Sequence, residues 1–423
     1  MKASFILAWR ALVRSHVLTL LLVATALAHA FLTAIVRSDG TAAGWREMFV
    51  RAVPGAAYFF IATTILACAC GTFAQERERS RLSLTVVRPV SAFGVSIGKW
   101  LALCAVAAIS LVFSGAITAC RLADAPRCLH HHSPKLPPVT ECARAALADY
   151  LADPATPEAV RRAPRAAVLT LLANKESDRY DIVRGGESFA WPFDASLESQ
   201  SGLTVRARFA TQFELRSPFE GEFSFGGRAA PVTHSTQSSI DVPLSATTNT
   251  PAAQASSATL NLVFKNSGRE IIMLRPRRDL ELLTPADAFC CNLARATVQM
   301  LSTIALLAAF GMFLSAAVSR PVALFTAVVA VAVTMMAPSV VSQFPDEMNT
   351  KFTERFGLAI SRAICTITST VSESQPISDL ATDTCIEWLA LARCFAVNVI
   401  ALPAALLAAA SFIVRRKPLA ENS

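Results

Sequence analysis

Residues 75–100 read QERERSRLSLTVVRPVSAFGVSIGKW, and their reading decides the fold. The segment is dense in charge and lies between two long runs with none, 52–74 and 101–120. Each run is long enough to cross a bilayer as a helix, which takes about 20 residues. A short arginine-rich loop between two spans belongs on the cytoplasmic side. The loop also has internal order: alternating acid and base, a Leu/Val/Phe/Ile pattern, then Gly-Lys at the membrane edge. It is expected to be a docking element for a cytoplasmic partner.

The composition of the 423 residues agrees with a membrane protein. Apolar residues make up 53% and charged residues only 17%, against about 25% charged in a soluble domain. Mean hydropathy is +0.45. The net charge of +8 does not point to nucleic acid. Residues 121–289 hold 19 Lys/Arg against 19 Asp/Glu, so the excess sits at the ends of the apolar runs, where it sets orientation.

Working outward from the loop, six spans are expected at 17–36, 54–74, 100–120, 294–318, 321–341 and 388–414. Both termini are placed in the cytoplasm, together with Lys2, Arg10, Arg14, the arginines of residues 75–99, Arg320, and Arg415, Arg416 and Lys417. The localisation that follows is an inner or plasma membrane, crossed several times. The first apolar run continues through Phe31, Leu32 and Ile35, longer than the core of a cleaved signal peptide. Ahead of it, residues 1–16 place Phe5, Trp9, Leu12 and Val13 on one helical face. That face suits a helix lying along the membrane surface, or an inward extension of the first span. Residues 290–341 carry the fourth and fifth spans, and 415–423 form a cytoplasmic tail.

The segment 121–289 is expected outside the cytoplasm as an inserted α+β domain. Its first part reads as helices and proline-rich loops, with Thr140 as an N-cap and Thr156-Pro157-Glu158 as a second helix start. From about residue 187 the period changes. Leu203, Val205, Ala207, Phe209, Thr211, Phe213 and Leu215 alternate with mostly polar residues, as in a half-buried strand. Residues 222–225, 240–244, 260–265 and 270–274 read as further strands, and their spacing predicts a sandwich-like second half. Residues 245–257 read as a loop. A second outer segment, 342–387, has Phe352, Phe356, Ala359, Ile360 and Ala363 at helical spacing.

Few residues suggest chemistry of their own. The chain has 11 cysteines. Cys68, Cys70, Cys104 and Cys394 lie inside spans as small apolar residues. Outside them, Cys128 with Cys142 and Cys365 with Cys385 are candidate disulfides, although spacing cannot fix connectivity. His130-His131-His132 beside Cys128 reads as an incidental run in a proline-rich loop, and no metal site is expected. The sequence lacks HExxH, CxxC and a phosphate loop, so neither a catalytic site nor a cofactor of its own is expected. Among ionisable residues within spans, Arg295, Glu387 and Arg393 lie near the ends, where long side chains reach the interface. His29 alone lies near mid-depth and is a candidate for lining a pathway.

The loop carries a resemblance. Glu76-Arg77-Glu78-Arg79, Leu82, Leu84, Arg88-Pro89-Val90-Ser91 and Gly98-Lys99 together resemble the first cytoplasmic loop of type-2 ATP-binding-cassette permeases over about 25 residues. Ser80 and Arg81 stand where that family usually has Gly-Thr, and Ala92 where Arg is common. The resemblance implies a coupling helix seated on a separate cytoplasmic ATPase, which would bind the ATP. Glu76 and Glu78 would face that subunit or brace the membrane entrance. Arg88-Pro89-Val90-Ser91 would turn the chain between two short helices, and Gly98-Lys99 would begin the third span. It further implies a second permease copy or a paralogue as partner. A transmitter of motion to the outer segment, without transport, is the alternative function.

Overall fold

The computed structural model describes residues 2–37, 42–74, 76, 91–156, 158–161, 165–211, 219–234, 239–246, 259–343, 359 and 375–420. The chain divides into two compact units, one built from residues 1–126, 288–341 and 356–423, the other chiefly from residues 127–287.

The first unit is helical. Its elements are α1 (Lys2–Arg14), α2 (Val17–Ile35), α3 (Ala42–Gly71) and α4 (Ala92–Arg121). Among the described residues, five helices are long and apolar enough to cross a membrane: Val17–Ile35, Gly44–Gly71, Ala92–Arg121, Phe289–Ala317 and Trp388–Arg415. The shortest has 19 residues, or about 28 Å at 1.5 Å per residue, close to the hydrocarbon thickness of a bilayer. This is the architecture of a multi-pass membrane protein. The span expected at 321–341 falls on the helix Arg320–Gln343, whose apolar stretch Arg320–Met336 is shorter than the other five.

These helices pack through small residues. Phe49, Val53, Ile61, Ile65 and Ala69 of α3 meet Ala296, Ile304, Ala305, Ala308 and Met312, all buried in one apolar core. A side chain on Gly311 would place its Cβ 2.8 Å from the Ala69 Cβ and 3.3 Å from the Cys70 nitrogen. The two backbones can approach this closely only because Gly311 has no Cβ. Pro54 lies within α3, which begins at Ala42, about three turns before the expected span at residue 54.

The second unit is β-rich with a helical part. Strand β1 (Leu129–His132) is followed by α5 (Val139–Ala152), α6 (Glu158–Arg161) and α7 (Arg165–Ser177). Then come β2 (Asp181–Val183), β3 (Ser188–Asp194), β4 (Thr204–Arg208), β5 (Ala210–Thr211), β6 (Phe219–Phe225) and β7 (Arg228–His234). The remaining strands are β8 (Ser239–Pro243), β9 (Ser245–Ala246), β10 (Thr259–Asn266), β11 (Ile272–Leu274) and β12 (Leu280–Pro285).

The sheets run β1-β12-β4-β8, β3-β10-β6-β7-β9 and β2-β11-β5. Alternate residues of the first two fill a common core: Val205 and Ala207 of β4 and Leu280 and Leu282 of β12, with Trp191, Phe193, Phe223, Phe225, Leu262 and Phe264. Phe209 lies among them, its ring 4.8 Å from that of Phe219 and 5.2 Å from that of Phe264. The strand expected over 203–215 is broken at this residue. Phe209 is buried, and on either side β4 pairs with β12 while β5 pairs with β11, so the two halves belong to different sheets. Residues 212–215 lie outside the described residues. So does most of the expected loop 245–257, which opens with β9.

Helix α5 starts at Val139 with Pro138 as its N-cap, ahead of the expected Thr140. The chain then returns to the helical unit as α8 (Phe289–Ala317), α9 (Arg320–Gln343), α10 (Pro376–Ala381), α11 (Trp388–Phe395) and α12 (Leu402–Ala420). A π-helical turn, Ala396–Ala401, joins the last two. Of the expected second amphipathic helix, Phe352, Phe356, Ile360 and Ala363 lie outside the described residues.

Candidate coupling site

The two ends of the charged loop are held together. Glu76, just past α3, accepts from Lys99 on α4 at 2.5 Å, and the Lys99 side chain is only 11% exposed. The ammonium also lies 4.5 Å from the centre of the Phe73 ring, a cation–π contact that favours a partly desolvated charge. Behind this pair the chain turns out of α3 with its backbone amides satisfied. Phe73 N–H and Ala74 N–H both donate to Ser315 Oγ on α8, at 2.9 and 3.0 Å. Ser315 is fully buried, and its hydroxyl gives these two backbone amides beyond α3 the partner that buried N–H groups require.

On the other side, Ser91 caps α4. Its Oγ accepts from Gly94 N–H at 3.1 Å, and its extended backbone ends the preceding segment. The expectation that Gly98-Lys99 begins the third span is therefore corrected. The helix starts at Ala92, because Ser91 provides the N-cap, and Gly98 is buried within the second turn. Lys99 turns back to Glu76. Trp100, next along, donates its Nε1–H to the Ala305 carbonyl at 2.8 Å, fixing α4 to α8. Of the loop residues singled out from sequence, Glu76 and Lys99 are brought together, while Ser91 and Gly98 take their places as the cap and a buried position of α4. Glu78, Arg88, Pro89 and Val90 lie outside the described residues.

His29 is buried between α2 and α4, and its Nε2 shares a 2.9 Å hydrogen bond with Ser114 Oγ. Thr25, Ser110 and Thr118 are buried around the same interface. The two serine and threonine hydroxyls of α4 return to their own helix, Ser110 to Val106 O and Thr118 to Ser114 O. His29 therefore ties two helices together in this structure.

A second polar cluster, at the opposite end of α3, was not legible in the sequence. Arg46 donates to Asp383 at 2.5 Å, with side chains 17% and 9% exposed. Asn292 on α8 donates to Thr384 O at 2.8 Å and accepts from Ile386 N–H at 2.9 Å. Arg295, one turn further, donates to Ile386 O at 3.1 Å and lies over the Trp388 ring at 4.4 Å. The expectation that Arg295 reaches the interface is corrected, since it is 6% exposed and serves the carbonyl of a packed segment. Asn292 and Arg295, three apart on one face of an apolar run, were the available signal. Their partners lie about 90 residues downstream, which no local pattern shows.

The expected Cys128–Cys142 bridge is not formed. The Cys128 thiol donates to Asp287 O at 3.1 Å, whereas Cys142 on α5 faces Pro137 O. Cys385 is likewise a thiol, 3.2 Å from an Arg295 nitrogen, and Cys365 lies outside the described residues.

In the β-rich unit a charged row crosses the four-stranded sheet. His131 pairs with Glu281 at 2.7 Å, Glu281 lies opposite Arg206, and Arg206 holds Asp241 through two bonds of 2.7 and 2.8 Å. The hydrogen bond from His131 keeps the Glu281 carboxyl below its ordinary pKa, against the opposing effect of burial. Strands β1 and β12, at the two ends of this unit in sequence, are neighbours, and backbone bonds join Cys128 to Asp287 and Ala286 beyond the ladder. Among the described residues, no three His, Cys, Asp or Glu side chains gather as a metal site. Compared with known proteins, the chain matches no family model, no curated protein and no solved structure.

Proposed function

We propose that this chain is the membrane subunit of an ATP-driven transporter of the ATP-binding-cassette type, with residues 77–90 as the coupling element for a separate cytoplasmic ATPase. The observation that carries this reading is the closed Glu76–Lys99 pair. A segment that transmits motion from a docked subunit needs ends that move with the helices. Here Ser315 and Ser91 fix the two flanks, and the ion pair joins them. ATP binding and release in the partner would then rock α3 and α4 as a unit. The arginine-rich loop supports a cytoplasmic position for this face and for both termini, at an inner or plasma membrane. The helix at Arg320–Gln343 serves as a sixth span. A second copy or a paralogue completes the permease, and the apolar, weakly charged helices favour an apolar or lipid-linked cargo. The chain itself contributes no catalytic group, and ATP is bound by the partner.

Co-purification tests this. The tagged full chain, extracted from native membranes, is expected to bring down a cytoplasmic ATPase, and the Arg88→Glu/Pro89→Gly protein to lose it. Absence of any ATPase from the wild-type preparation rejects the assignment.

A second reading is favoured by the β-rich unit, which has its own core and joins its first and last strands directly, β1 to β12. Such a unit suits a transmitter that hands ATP-driven motion to a partner outside the cell. Deleting residues 125–285 separates the two. Cargo movement survives in a transporter with an accessory domain, whereas a transmitter keeps ATPase activity and loses only partner binding.

A further inference from the structure

The histidine run that the transport reading leaves unused is not a loop. It forms β1, an edge strand paired with β12 in the register His130↔Thr284, His131↔Leu283 and His132↔Leu282. Side chains alternate between faces along a strand, so His130 and His132 share one face and His131 takes the other. His131 is committed there to Glu281, at 2.7 Å. The remaining two rings lie side by side, their centres 6.4 Å apart and their planes tilted by 51°.

From this juxtaposition we infer that His130 and His132 form a two-imidazole binding site for a divalent transition cation of the Cu²⁺ or Zn²⁺ type. The spacing suits the chemistry. A metal about 2.0–2.1 Å from each ring nitrogen holds two imidazole centres about 5–6 Å apart, depending on the angle at the metal. A small rotation of the exposed His130 ring closes the difference. One nitrogen of the second ring has an outer partner: His132 Nε2 and Thr284 Oγ1 share a 3.0 Å hydrogen bond. With Nε2–H donating to that hydroxyl, the lone pair lies on Nδ1. A fixed tautomer held by an outer partner is the usual arrangement for a ligating histidine.

Asp194 is among the charged neighbours of the His132 ring. Asp194 adds negative charge near the ring, balanced by its 2.7 Å pair with Lys135. No third protein ligand is gathered among the described residues, so water completes the coordination. That points to an exchangeable site rather than a structural one. Among divalent ions, Cu²⁺ binds imidazole sites most tightly and is the appropriate probe.

The test uses the full chain in detergent, without a polyhistidine tag, stripped with chelator and with exposed thiols alkylated. Cu²⁺ alone is titrated by calorimetry, and nitrogen coordination is read by electron paramagnetic resonance. The wild type is expected to bind a single Cu²⁺ with two coordinated imidazoles. His130→Ala and His132→Ala are each expected to weaken it by about tenfold or more, a scale on which even outer partners of a ligating histidine act. His131→Ala, on the opposite face, leaves the affinity unchanged. Should His132→Ala fail to fold, the exposed His130→Gln carries the same expectation. Wild-type spectra with one imidazole or none, or an affinity that falls equally with His131→Ala, overturn the site.

Discussion

Glu76 and Lys99 are separated by 23 residues in sequence and by 2.5 Å in space. Lys99 is the more enclosed partner, 11% exposed against 32% for Glu76. Loss of the carboxylate therefore leaves an ammonium with little water, while loss of the ammonium leaves a carboxylate that solvent still reaches. Removing one partner of a fully buried pair costs about 3–5 kcal/mol, and the exposure of Glu76 lowers this to about 1–3 kcal/mol.

Glu76→Gln is thus expected to lower the thermal midpoint of the detergent-solubilised protein more than Lys99→Met does. The methionine fills the same apolar space beside Phe73 without a charge. Equal losses in the two variants contradict the asymmetry. On the transport reading, Glu76→Gln also lowers ATPase stimulation by the permease while leaving β-rich-unit stability unchanged.

Arg46 and Asp383 form a pair of the same kind at the other end of α3, with side chains 17% and 9% exposed. Asp383 has φ 58, in the left-handed region, which Asp and Asn tolerate better than most residues. Asp383→Asn keeps that tolerance and removes only the charge, whereas Asp383→Ala also adds backbone strain of about 1 kcal/mol. The expected order of stability is wild type, then Asn, then Ala. A double-mutant cycle with Arg46→Met, read by thermal unfolding, is expected to give a coupling of about 1–3 kcal/mol. A coupling near zero removes the pair from the account.

The Glu281 carboxyl, held below its ordinary pKa of 4.5 mainly by His131, makes the stability of the β-rich unit depend on pH. Because its folded pKa lies below the unfolded one, the stabilisation is complete above about 4.5. It is lost as pH falls through the folded value. Comparing wild type with Glu281→Gln by thermal melts from pH 7 to pH 3 is expected to show the wild-type advantage shrinking across the acid end. Its size is about 1 kcal/mol or less, since the side chain is 32% exposed. An advantage that grows on acidification contradicts the sign.

Gly221 on β6 faces the Phe264 ring of β10. A Cβ there would lie 2.6 Å from two ring carbons and 3.0 Å from the Lys265 carbonyl oxygen. Neither neighbour can yield easily, because Phe264 is fully buried among Phe209 and Phe223. Gly221→Ala is expected to destabilise the β-rich unit by about 1–3 kcal/mol through overpacking. Faster limited proteolysis within residues 127–287 would report it. Unchanged proteolysis would mean that the ring has room to move.

What the sequence showed, and what it concealed, follows from physical range. The long helices were legible because a run such as 101–120 carries no charge at all, and the flanking arginines marked where each run ends. Helix starts were less legible: Ser91 caps α4 through its own side chain, yet the Pro-Val-Ser before it read as part of a turn. Strands with one buried face, such as β6 and β10, announced themselves by alternation. Strand β12 did not, because Leu280, Leu282 and Leu283 are all buried and the alternation vanishes. Strand β1 was hidden by three polar histidines whose partners lie about 150 residues away. Arg46 and Asp383 were beyond reach for the same reason.

The most direct measurement of the central claim is photo-crosslinking from the loop in native membranes. A benzophenone amino acid is placed singly at Leu84 and Val90, and for comparison at Ile182 in the β-rich unit. Covalent adducts are expected from the loop positions to a cytoplasmic protein that mass spectrometry identifies as an ATP-binding-cassette ATPase, with no such adduct from Ile182. Loop positions that capture only lipid, or an ATPase adduct from Ile182, would contradict it.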